Sequence, residues 1–119
     1  HRVVLYDVSN THVSTLISEA FKYSHLVLAS VTYNLGIYPV MHSFLSDMKA
    51  LNLQKRTVAL VENGSWAPSC ARQMRALLEE MKSMEILEPV VTLKSALKDD
   101  SLAQLDALRD ALIASLMAE

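Results

Sequence analysis

Short apolar runs alternate with longer stretches of 3.6-residue period from one end of this sequence to the other, and few architectures satisfy that alternation. Residues 3–6 (Val3, Val4, Leu5, Tyr6) form a continuous apolar run ending at Asp7, which predicts a parallel strand buried on both faces. Ser9, Asn10 and Thr11 are good N-caps for a following helix that places Val13, Leu16, Ile17, Ala20 and Phe21 on one side. A second apolar run, residues 26–31, leads through a loop to Pro39, suited to a first helical turn, and to the stripe Met41, Phe44, Leu45 and Met48. The pattern returns with a strand at 57–61, a loop at 63–67, Pro68, and a stripe of Cys70, Met74, Leu77, Leu78 and Met81. A last strand falls within 86–93, where Pro89 implies an edge position or a bend. Ser101 and Gln104 have capping-box spacing before a closing helix lined by Leu102, Leu105, Leu108, Leu112 and Leu116. The expected fold is α/β: a doubly wound parallel sheet of about four strands with flanking helices and right-handed crossovers.

With 119 residues, 51% of them hydrophobic, residues 1–119 suit one domain that needs no disulfide or metal to close its core. The single cysteine, Cys70, cannot pair within the chain, which favours a reducing compartment and hence the cytoplasm. No apolar run approaches the roughly 20 residues of a bilayer span and no leader pattern opens the sequence, so no membrane partner is expected. A formal charge of −2 gives no general attraction for nucleic acid, and Lys55, Arg56, Arg72 and Arg75 read as dispersed, solvated charges.

Both glycines, Gly36 and Gly64, fall just beyond the carboxyl ends of predicted strands. Ligands of open α/β sheets bind there, and glycine permits close backbone approach or a positive φ. A plain turning role explains the position equally well. Tyr33 and Tyr38 flank Gly36, and Trp66 follows Gly64 by two residues, a rim suited to stacking on a planar heteroaromatic ligand unless these rings simply pack on the next helices. His1, His12, His25 and His42 share no metal-ligand spacing, Cys70 lies on an apolar stripe, and no G-x-S-x-G turn is present. Asp7 ends a strand without the acidic neighbours that would hold magnesium, so capping or solvent contact accounts for it. Any chemistry is therefore expected from a bound cofactor rather than from side chains.

Three stretches carry a family resemblance: YDVSNTHVS (6–14), ASVTYNLGIYP (29–39) and VENGSWAPS (61–69). Through them the chain resembles the flavodoxin-like domain of A-type flavoproteins, or flavodiiron proteins, over nearly its whole length. The resemblance implies FMN as cofactor, with Thr32, Tyr33, Asn34, Leu35 and Gly36 as one wall of the isoalloxazine site and Asn63, Gly64, Ser65, Trp66 and Ala67 as the other. It implies an electron-transfer module serving a diiron domain, in the parent protein or its dimer partner, fed by a redox donor protein. The diiron ligands would lie upstream, so these residues alone are not expected to catalyse oxygen or nitric oxide reduction.

The sequence departs from that family in lacking its first strand and the hydroxyl-rich phosphate loop after it. Each lost hydrogen bond to the phosphate would weaken FMN binding by about 1.5–3 kcal/mol. In the flavodoxin-like order 2-1-3-4-5 the absent strand would occupy a gap between the first two strands present here. Those strands could close up, or the gap could attract another chain, giving a homodimer. The alternative to a flavin module is a cofactor-free structural or protein-interaction module of the same fold.

Overall fold

A computed structural model describes residues 3–33, 36–37, 39–63, 70–88, 90–93 and 99–118, with the backbone alone described at 31–33, 36–37 and 99–101. Along the chain the elements are α1 (Val13–Lys22), β1 (His25–Tyr33), β2 (Gly36–Ile37), α2 (Pro39–Ala50), β3 (Thr57–Asn63), α3 (Cys70–Glu79), β4 (Glu85–Ile86), β5 (Val91–Leu93) and α4 (Asp99–Met117). β1 and β3 run parallel over seven paired positions, from His25↔Thr57 to Val31↔Asn63. β4 and β5 both pair parallel with β3, one near each end, so the last strand is broken between them, as the proline within that run predicts. The sheet order is β2-β1-β3-β4, with β5 also on β3.

Period-2 alternation divides the strands between two cores. Val58 and Leu60 face the layer of α1, α2 and α3, where they meet Leu16, Leu28, Phe44, Leu45, Met48, Met74 and Leu78. Ala59 faces the opposite layer, where α4 supplies Leu108 and β5 supplies Val91. The stripe on α2 is buried as expected, at Met41, Phe44, Leu45 and Met48. On α3 the buried residues are Cys70, Ala71, Met74 and Leu78.

Four expectations are corrected. Residues 3–7 form no strand: Val3 and Leu5 are 89% and 93% exposed, although Tyr6 and Val8 pack against the larger core. A groove of about 600 Å³ is lined by this run on one side and by β1 on the other, and no strand of the sheet includes residues 3–7. The two segments have therefore not closed up. The N-cap of α1 is His12, whose Nδ1 accepts the Ser14 N–H at 3.1 Å, and not Ser9, Asn10 or Thr11. Ser9 and Asn10 instead close a turn on Asp7, whose carboxylate accepts from Ser9 N at 3.0 Å and Asn10 Nδ2 at 2.7 Å.

The capping box at Ser101 is also overturned, because α4 starts at Asp99 and Gln104 accepts the Thr92 N–H at 3.2 Å. Finally, Arg56 is no mere solvated charge. Its guanidinium donates to the carbonyls of Ala20, Phe21 and Gln54, satisfying the last turn of α1. Arg75 does lie at the surface, between Glu79 and Glu88, and the hydrogen bond to Glu88 raises its pKa further.

Candidate functional site at the carboxyl edge of the sheet

Adjacent parallel strands that end level deliver their following segments to one place. Val31 of β1 pairs with Asn63 of β3, and Asn63 pairs in turn with Leu93 of β5. Thr32 and Tyr33 continue β1 past that line and pair antiparallel with Ile37 and Gly36 of β2. This hairpin is absent from the sequence reading, which has a loop there. Gly36 is a strand residue of β2, paired with Tyr33. The left-handed positions among the described residues are Asn52, Lys55 and Ser83, at φ 63°, 61° and 58°. Asn52 closes α2 with Leu53 N–H bonded to Met48 O and Asn52 N–H to Lys49 O, a Schellman arrangement.

Of the ten residues assigned to the flavin walls, the structure gives backbone positions for Thr32, Tyr33 and Gly36. Asn63 is the last residue of β3, half-buried, rather than the first of a loop. Asn34, Leu35, Gly64, Ser65, Trp66 and Ala67 lie outside the described residues.

Sequence reasoning passed over Glu62, the one buried charged side chain among the described residues, at 8% exposure. Its Oε1 accepts the Ala71 N–H at 3.1 Å and its Oε2 accepts the Thr92 hydroxyl at 2.7 Å, with Cys70 Sγ at 3.9 Å. A carboxylate in an apolar layer is tolerable only when its oxygens are bonded, and the first turn of a helix is a favourable place for its charge. Glu62 thereby ties the end of β3 to the start of α3 and to β5. The signal was available: positions 58, 60 and 62 share one face, so a glutamate there sits where alternation demands an apolar residue.

Cys70 is fully buried, with Sγ 3.6 Å from Ser30 O, as a core position predicts. The histidines are dispersed into separate roles: His12 caps α1, and His25 spans Ser24 Oγ at 2.8 Å and Ser115 Oγ at 3.0 Å. His42 lies 3.5 Å from Ser46 Oγ. Among the described residues no three His, Cys, Asp or Glu gather as a metal site, and no helix is long and apolar enough to cross a membrane.

No protein-family model and no curated protein matches the sequence. Solved structures do. A flavodoxin from the domain Archaea superimposes with a TM-score of 0.71 at 18% identity, over 85% of this chain and 68% of that one. Rubredoxin oxygen:oxidoreductase from the anaerobe Desulfovibrio gigas superimposes with a TM-score of 0.82 at 21% identity, over 93% of this chain. The match spans only 27% of the oxidoreductase. At these identities the likeness concerns architecture, and it agrees with the parallel β1–β3–β4 sheet and its helices on both faces. The chain has the flavodoxin-like fold that its resemblance to A-type flavoproteins implied.

Proposed function

We propose that this chain is the FMN-binding part of an electron-transfer protein, with the flavin ring held between the segment that follows β1 and the segment that follows β3. One observation carries the reading: the Val31↔Asn63 register starts both segments from the same carboxyl edge, where open α/β sheets take their ligands. The residues proposed for the walls are Thr32, Tyr33, Asn34, Leu35 and Gly36 on one side and Asn63, Gly64, Ser65, Trp66 and Ala67 on the other. Their donor set suits a flat, largely apolar ring: two aromatic side chains, many backbone amides and no charged side chain. FMN, when bound, supplies the redox chemistry. The protein's part is to bind and orient the ring, to exclude water from it, and to hold backbone N–H groups against its polar edge. Glu62 acts as a positioning residue, since its bond to Ala71 N–H fixes the far end of the segment that leaves β3 at Asn63.

The partners proposed on the same reading are a diiron domain, in the parent protein or its dimer partner, and a redox donor protein in the cytoplasm. Those activities belong to a longer protein, as the partial span of the oxidoreductase suggests. The test is a titration of the purified chain with FMN, following quenching of flavin fluorescence. Saturable quenching is expected, with Trp66→Ala weakening it roughly fivefold for the loss of about 1 kcal/mol of ring stacking. Gly64→Val, which crowds the same segment, weakens it as well. Absence of saturable quenching overturns the flavin reading and leaves a cofactor-free interaction module.

A further inference from the structure

A helix that opens at the carboxyl edge of a parallel sheet favours a negative charge at its amino terminus, because its first N–H groups lack helical partners and its dipole is positive there. α3 opens in that place, after the segment that leaves β3 at Asn63. Its terminus already holds an anion from its own chain. Glu62 Oε1 accepts the Ala71 N–H at 3.1 Å, in the first turn of α3.

Strand register places that carboxylate one step from the candidate site. Ser30, Glu62 and Thr92 form one row across β1, β3 and β5, and Val31, Asn63 and Leu93 form the next, where the two proposed flavin walls begin. The other groups that meet Glu62 are uncharged: the Thr92 hydroxyl at 2.7 Å from Oε2 and Cys70 Sγ at 3.9 Å from Oε1. No lysine or arginine among the described residues forms an ion pair with it. At 8% exposure its charge is screened poorly by water and salt, so it acts on its surroundings more strongly than a surface carboxylate does.

We propose that Glu62 sets the redox balance of the flavin site, making it hold the oxidised ring more tightly than the reduced one, an inference that rests on the flavin reading above. Two-electron reduction leaves a flavin ring with a negative charge in mildly alkaline solution, and like charges in a poorly screened site repel. Glu62 also occupies the helix terminus that would otherwise stabilise that charge. The oxidised ring is neutral and meets neither penalty. The phosphate of FMN is common to both forms and cancels from the comparison. Each tenfold preference for the oxidised form lowers the midpoint potential of bound FMN by about 30 mV relative to free FMN. The site is thereby suited to passing electrons on to a partner rather than storing them.

The test measures FMN binding to the purified chain twice in mildly alkaline buffer, with oxidised FMN by fluorescence quenching and with chemically reduced FMN by anaerobic calorimetry. The dissociation constant is expected to be about tenfold larger for the reduced form. Glu62→Gln keeps an acceptor for the Ala71 N–H and a polar partner for Thr92 while removing the charge, and should bring the two constants within about twofold of each other. A merely structural role for Glu62 weakens both forms alike and leaves their ratio unchanged, and that result overturns the proposal. In about 1 M salt, where exposed charges are screened within roughly 3 Å, the ratio for the unaltered chain should persist because the charge is buried. Its collapse there assigns the preference to surface charges and overturns the proposal even if Glu62→Gln fails to fold. Equal constants for the unaltered chain overturn it too, with the flavin reading intact. No saturable binding of either form overturns the flavin reading, and this proposal with it.

Discussion

The two faces of the sheet are made from the same strands, yet they are covered unequally. On one face α1, α2 and α3 enclose Val58 and Leu60 completely, together with a cluster that includes Leu45, Met48, Met74 and Leu78. On the other, α4 alone encloses Ala59, Val91 and Leu108, and Val27 is left more than half exposed. Both faces draw on apolar residues of β1 and β3, so strand composition does not set the difference. Coverage does, because a branched side chain stabilises the fold only as far as a neighbouring layer removes it from water.

Removing volume from each layer is the harshest way to break this comparison. Leu60→Ala, in the three-helix layer, should lower unfolding free energy by about 4 kcal/mol, since its fully buried surroundings cannot collapse into the cavity. Leu108→Ala should cost about 2 kcal/mol, because its neighbours Leu105 and Leu112 are only partly buried and free to relax. Urea denaturation of both variants measures the gap. Equal losses would mean that α4 covers its face as tightly as the three helices cover theirs.

Glu62 sharpens the comparison at the point where the layers meet the candidate site. It faces the three-helix layer through Ala71, yet its second oxygen reaches Thr92 of β5, which packs beside α4. Glu62→Leu should cost about 3 kcal/mol, because a buried N–H and a hydroxyl lose a charged acceptor together. Thermal unfolding checks the size. Faster amide exchange at Ala71 in the folded state would tie the loss to this contact.

Much of this architecture is legible from periodicity, and the exceptions share a cause. The stripes on α2 and α3 are readable because their partners lie in the same dense layer, so burial follows the 3.6-residue pattern. Val3 to Tyr6 has an equally strong apolar pattern, but strandhood depends on a neighbour, and no run of residues announces whether its neighbour is present. Ser9 and Asn10 look like caps until Asp7 engages both, leaving His12 to start the helix. Gln104 has the spacing of a capping residue but is taken by Thr92, twelve positions away. At the candidate site, glycine and aromatic spacing mark both segments, whereas the Val31↔Asn63 register that brings them together is long-range. Glu62 escapes notice because its partners are brought to it by the fold.

The gentlest probe of the unequal faces is a single exchange of methyl for hydroxyl, made once on each. Val58→Thr places a hydroxyl at a fully buried site lined by apolar side chains, and should cost about 2 kcal/mol for an unpaired polar group. Val27→Thr makes the same change one strand away, where the side chain already touches water, and threonine suits a strand as well as valine does. Its cost should stay below about 0.5 kcal/mol. The difference is read from denaturation midpoints, since neither change alters the surface exposed on unfolding enough to move the slope. A loss at Val27 matching that at Val58 would mean that the groove beside β1 excludes water in the chain alone, and the asymmetry between the faces would disappear.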